Sequence, residues 1–153
     1  AVESLAEEYE DVWIDCPPML GILMINALCV CDRLLIPVQP EYLALKGLER
    51  MMASLKLVEN SRGTRVPYTI VPTLFDRRTR ASVDSLSALE RRHGDQLAPE
   101  PIPIDTQFRM ASEQGLPLPE TRPGARGVVA YRSLLEELLA QSTYTGQVGE
   151  GVA

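Results

Sequence analysis

Aromatic residues supply only 5% of this 153-residue sequence, with one Trp and two Phe, so aliphatic side chains must fill its core. Histidine occurs once, at His93, next to Gly94 at an expected helix end. That position reads as a surface residue favoured by the helix dipole. With Ser112 it has no visible acid partner, so a hydrolase triad is not supported. No run of eighteen apolar residues occurs, so no membrane-spanning helix is expected. No secretory leader is visible at the start. The three cysteines, Cys16, Cys29 and Cys31, lack zinc-ligand spacing and read as buried thiols of a reduced, cytoplasmic protein. The first residue is Ala1 rather than Met, inside what reads as a helix, so residues are expected to precede it.

A hydrophobic content of 45% and a charged content of 24% fit one soluble globular domain. The net charge of −6 is uneven. Residues 1–61 carry ten acids and four bases, whereas residues 62–133 carry eleven bases, all Arg, and eight acids. Planar guanidinium groups suit phosphate and nucleic acid. An excess this small also suits an ordinary solvated surface.

The chain is organised around Val12-Trp13-Ile14-Asp15-Cys16-Pro17-Pro18. Three apolar residues read as a short strand buried on both faces, as in a parallel sheet. The prolines forbid its continuation. Asp15 is thereby expected at the carboxyl end of a strand, where open α/β sheets place their ligands. A carboxylate there can hold Mg²⁺ through water or orient an attacking water. It can equally be a strand-ending Asp that caps the next helix.

Glu3 to Tyr9 reads as the tail of a surface helix. Met19 to Val30 reads as a buried or interface helix, Leu34 to Val38 as a strand, and Leu43 to Asn60 as an amphipathic helix. Val66 to Leu74 is the next strand, and its end leads into Phe75-Asp76-Arg77-Arg78-Thr79-Arg80. A helix from Ser82 to His93 follows, closed by Gly94. Pro99 to Ile104 forms an extended piece, and Asp105 to Gln114 a short helix stopped by Gly115. Leu116 to Gly127 reads as a long loop and Val128 to Leu139 as a helix. Residues 1–140 are taken as the domain, and 141–153 as a tail expected to be disordered. The alternation of strands and helices predicts an α/β fold, a three-layer, mostly parallel sheet with helices on both faces.

The ordered set of segments resembles the ParA/Soj family of deviant-Walker P-loop ATPases, which partition chromosomes, plasmids and other cargo. It consists of Asp15-Cys16-Pro17-Pro18, Asn26-Ala27-Leu28, Asp32, Ile36 to Leu48, Phe75 to Thr79, Ile102-Pro103 with Phe108-Arg109 and Ala111-Ser112-Glu113, and Gly127 to Tyr131. The resemblance covers roughly residues 9–140. The family's glycine-rich phosphate loop with its lysines is not in this sequence, whose only lysines are Lys46 and Lys56. The chain therefore resembles a carboxyl-terminal half, a partial P-loop NTPase fold that should not hydrolyse ATP alone.

By that resemblance Asp15 is the Walker B-type acid, acting on Mg²⁺ through water or on the attacking water. Pro17 and Pro18 shape the switch segment. Thr73 and Pro103 line the adenine pocket, one by side chain and one by backbone, with Arg77 on the same loop. Arg78, Arg80 and Arg109 are candidates for non-specific DNA backbone contact. ATP and Mg²⁺ are expected cofactors of the complete protein. The implied partners are a second copy in the ATP state, a ParB-like or cargo-adaptor protein that stimulates hydrolysis, and non-specific DNA. The cell location is the cytoplasm, with nucleoid association where DNA is bound. The segment from Gln141 has no base, unlike relatives with a basic amphipathic membrane helix, so no membrane partner is expected. The alternative is a non-catalytic module that keeps a dimer face and only binds a partner. Either way, the Met19–Val30 helix is expected to lie uncovered in the isolated chain and to favour aggregation.

Overall fold

The computed structural model describes Leu5, residues 8–16 and residues 21–147. It divides into two compact units, Ala1–Ile36 with Lys46–Thr69, and Pro37–Leu45 with Ile70–Ala153. The elements in chain order are α1 (Ile22–Val30), β1 (Leu34–Val38), α2 (Tyr42–Arg62), β2 (Tyr68–Pro72), α3 (Arg80–His93), a single 3₁₀ turn (Gly94–Gln96), α4 (Gln107–Gln114), α5 (Leu118–Thr121) and α6 (Arg126–Gln147).

In the first unit, α1 is apolar on every side and contains neither Pro nor Gly. A helix of that kind normally lies inside a larger core. One face does pack: Leu28, 2% exposed, joins Leu55, Val58 and Val66, with Met24, Cys31, Met51 and Met52 around them. Burying a side chain such as Leu55 contributes about 1.5–3 kcal/mol. The other face is open, with Ile22 and Leu23 each 69% exposed. Polar stitches close the unit. The Arg62 guanidinium, at the end of α2, donates from Nη1 to the Leu28 carbonyl at 2.6 Å and to the Cys31 carbonyl at 3.4 Å. A cation there satisfies the orphan carbonyls at the end of α1 and opposes the helix dipole. Gly63 turns the chain with φ of 74°, a left-handed conformation that glycine adopts without Cβ strain. The Val66 amide then donates back to Glu59 Oε1 at 2.9 Å.

Val12, Trp13 and Ile14 differ from expectation. They belong to no strand and are 41%, 67% and 45% exposed. A strand buried on both faces needs a neighbour to pair with and layers to cover it. Among the described residues no backbone ladder reaches this stretch. Its apolar sequence is therefore not matched by burial. Glu8 and Tyr9 amides donate to the Leu5 carbonyl, a remnant of the helical turn expected there.

The two strands pair in parallel. The Leu34 amide donates to the Pro67 carbonyl at 2.9 Å at one end, and the Thr73 amide to the Val38 carbonyl at 2.9 Å at the other. Pro37, which has no N–H, is exposed, between buried Ile36 and Val38. In the second unit the stretch Leu97–Ile104 runs parallel to β2 on its other edge. The Ala98 amide donates to the Ile70 carbonyl at 2.8 Å and the Ile102 amide to the Pro72 carbonyl at 2.8 Å. Proline at the strand end keeps its acceptor, so the ladder survives it. Val71, Ala98 and Ile102 form a buried cluster covered by Ala130 and Leu134 of α6.

Several boundaries shift. Gly94 follows α3 in a right-handed helical conformation, φ −49° and ψ −43°, so it continues into the 3₁₀ turn instead of closing the helix. Gly115, by contrast, stops α4 with φ of 66°. The expected loop from Leu116 to Gly127 contains α5, with a proline in its first turn. α6 runs to Gln147, past the end expected at Leu139, so residues 141–147 of the presumed tail are helical. No proline interrupts that stretch, and the helix continues.

Candidate nucleotide and phosphate site

The expected site residues fall in both units. Asp15, in the first, follows the exposed Val12–Ile14 stretch and is itself exposed. Pro17 and Pro18 lie outside the described residues. The expected position of Asp15 at a strand end is corrected with the strand itself: the carboxylate follows irregular backbone.

The second unit holds the remaining residues. Thr73 leaves β2 with its amide donated to the Val38 carbonyl. Leu74 then turns with φ of 54°, a left-handed conformation that costs a branched residue about 1–2 kcal/mol. Beyond it the Phe75 amide donates to the Ile102 carbonyl at 3.0 Å, and the Ile104 amide to the Phe75 carbonyl at 3.1 Å. Phe75 and Pro103 thus form a parallel bridge. Thr73, Phe75 and Pro103 are all half-buried, at the carboxyl end of β2. Pro103 has no N–H to offer, so any backbone contact it makes is through its carbonyl.

Arg77 is exposed in the turn that follows. Arg78 and Asp76 form a two-pronged pair: Nε to Oδ1 at 2.9 Å and Nη2 to Oδ2 at 2.9 Å. The Arg78 amide adds a third bond to Oδ1 at 3.0 Å. These bonds hold the Asp76 carboxyl down to about 2 and raise Arg78. Arg80 lies 3.6 Å from Asp84, one helical turn on. Arg109, on α4, is exposed. Two of the three arginines expected to meet DNA thus already face a carboxylate of their own chain.

Two further features hold this unit together. Asp105 Oδ1 accepts from the Gln107 amide at 3.0 Å, and its Oδ2 from the Gly127 amide at 3.1 Å. One carboxylate so joins the starts of α4 and α6, and the two amides, Gly127 first, lower its pKa. Gly127 itself is sterically required: a Cβ there would stand 2.4 Å from the Phe108 ring. Phe108 meets Tyr131 edge to face with centroids 6.0 Å apart. The Asp-x-Gln spacing ahead of a helix was the available signal for Asp105.

The donor set bounds the metal chemistry. Among the described residues no group of three or more His, Cys, Asp and Glu could cage a metal ion. A single carboxylate such as Asp15 fits Mg²⁺ that takes its other ligands from water and phosphates. No helix of the described residues is long and apolar enough to cross a membrane.

Residues 1–66 match the family model AAA_31, described as an AAA domain. The chain is 33% identical over 141 residues to the sporulation initiation inhibitor protein Soj of Bacillus subtilis, covering 92% of this chain and 56% of that protein. It is 31% identical over 144 residues to the chromosome partitioning protein ParA of Myxococcus xanthus, covering 94% and 51%. The chain belongs to the ParA/Soj family. It spans about half the length of the curated relatives it matches. Among solved structures it is similar to cobyrinic acid a,c-diamide synthase of Mycobacterium smegmatis with a bound ATP analogue and magnesium. That likeness has a TM-score of 0.72 at 29% identity, covering 94% of this chain and 52% of the other. Apo McdA of Cyanthece gives a TM-score of 0.72 at 19% identity over 88% and 56%, a likeness of fold. The α/β fold is that of P-loop ATPases.

Proposed function

We propose that this chain is the carboxyl-terminal part of a ParA-like ATPase that partitions or positions DNA or protein cargo. It supplies the acid for hydrolysis, the base-side loops and phosphate-facing arginines. The observation that carries the reading is the pairing of Phe75 with Ile102–Ile104 just past the carboxyl end of β2. Parallel sheets present ligands at that end. Thr73 lies two residues before Phe75, and Pro103 is the bridge partner of Phe75; the family resemblance sets both Thr73 and Pro103 against the base. Similarity to a synthase solved with an ATP analogue and magnesium supports nucleotide and Mg²⁺ as ligands.

Mg²⁺, when bound, neutralises charge on the phosphates. Asp15 would hold that ion through water or orient the attacking water. Thr73 and the Pro103 carbonyl bind and orient the base, and Pro17 and Pro18 shape the segment that follows the acid. Backbone amides of a glycine-rich loop are needed to cradle the phosphates, and the 153 residues contain no such loop. ATP orders a homodimer, hydrolysis releases it, and a ParB-like or cargo-adaptor protein stimulates the step. Arg78, Arg80 and Arg109 contact non-specific DNA, and the location is cytoplasmic.

The open apolar face of α1 and the exposed Val12–Ile14 favour a second reading, a non-catalytic module that binds a partner. Nucleotide titration separates the two. The product of the whole reading frame should bind ATP with Mg²⁺, and this segment alone should bind it far more weakly. Equal, absent binding by both would favour the module.

A further inference from the structure

The arginine-rich turn after β2 is asymmetric. The Asp76 side chain is 18% exposed, whereas that of Arg78 is 82% exposed. The acid is the anchored member. Its amide donates to the buried Ser82 hydroxyl at 3.4 Å. Its carbonyl accepts from the Thr79 amide at 3.1 Å and from the Thr79 hydroxyl at 3.2 Å. The acid's carboxylate offers Arg78 the same planar, two-oxygen face that a phosphate offers. Among the described residues, the arginine is held through its own amide and its guanidinium.

We infer that Asp76 is a built-in competitor of external phosphate: it occupies the Arg78 guanidinium until a polyanion displaces it. This rests on the reading that Arg78 contacts a phosphate backbone, and it deepens it. A polyanion that takes Arg78 must break two hydrogen bonds and leave Asp76, still charged, beside its own phosphates. Resting affinity is lowered and becomes dependent on the phosphate density of the partner. An isolated phosphate competes poorly, whereas a chain of phosphates recruits Arg77 and Arg80 along with Arg78.

The test measures binding of labelled inorganic polyphosphate and of labelled duplex DNA across a salt series, using the complete chain. Asp76→Asn keeps an oxygen for the Arg78 amide but removes the charge. It should tighten binding of polyphosphate roughly two- to fivefold, the usual worth of an exposed pair. It should also steepen the salt slope, by up to about 0.9 for duplex DNA, because the wild-type Asp76 left charged beside the phosphates takes up a cation on binding. In an Arg78→Ala background the gain should shrink. Unchanged affinity and slope in Asp76→Asn, or an equal gain in the Arg78→Ala background, would overturn the inference. If polyphosphate follows this pattern and duplex DNA binds to no variant, the competitor stands and the DNA reading falls. A second measurement needs no variant. In the wild type at neutral pH, polyphosphate should shift the Arg78 Nε–H and Asp76 carboxyl resonances together. An Asp76 signal that stays fixed while Arg78 moves would contradict displacement.

Discussion

The two compact units contain apolar segments of similar composition and bury them very differently. In the second, the end of β2 contributes Ile70, Val71 and Pro72, all buried with a paired stretch on the far edge. In the first, Val12-Trp13-Ile14 has no such pairing and stands exposed. The α1 helix lies between these cases: Leu28 is packed while Ile22 and Leu23 are open. Burial is a property of a surface and its partner together, and residue type states only the demand.

The sharpest way to test that contrast is to substitute equally apolar residues on each side of it. Leu55→Ala, in the packed cluster of the first unit, should cost about 2–5 kcal/mol in a urea melt. Gly127→Ala should cost about 1–3 kcal/mol, because its new methyl meets the Phe108 ring. Asp105→Asn should cost about 1–2 kcal/mol, because the amide has one acceptor oxygen and so loses one of the two bonds that join α4 and α6 and weakens the other. Trp13→Ser and Ile22→Ser should change stability by less than about 0.5 kcal/mol. Light scattering should show less self-association for both, since they remove exposed apolar surface. A large loss of stability in either would mean that these side chains are buried in solution, and the contrast would collapse.

The smallest effect concerns acid. Asp76 has its pKa lowered from 3.8 to about 2. A carboxyl depressed in the folded state stabilises it above its ordinary pKa and loses that contribution as pH falls from about 4 through about 2. Asp76→Asn should therefore lower stability slightly at neutral pH, and the difference from wild type should vanish as pH falls through that window.

Much of this was legible in the residues. Leu34–Val38, the helix after it and the stop at Gly115 declare themselves because local pattern and turn chemistry agree there. Val12–Ile14 misled because a continuous apolar run signals a buried strand only where neighbours exist. Gly94 misled because glycine permits a left-handed cap without requiring one. The bridge between Phe75 and Pro103 was not legible, since it joins stretches with no shared local pattern. The Asp105 bridge was hidden, since a carboxylate joining two helix starts depends on Gly127, far along the chain. The Asp76–Arg78 pair was hidden for another reason: three clustered arginines read as free charge until their acids are seen.

The account turns on Asp15 more than on any other residue. In the product of the complete reading frame, Asp15→Asn should still bind ATP with Mg²⁺ in a calorimetric titration but lose steady-state ATP hydrolysis by a hundredfold or more, roughly the range expected for a lost catalytic base. Hydrolysis at the wild-type rate by that variant would contradict it.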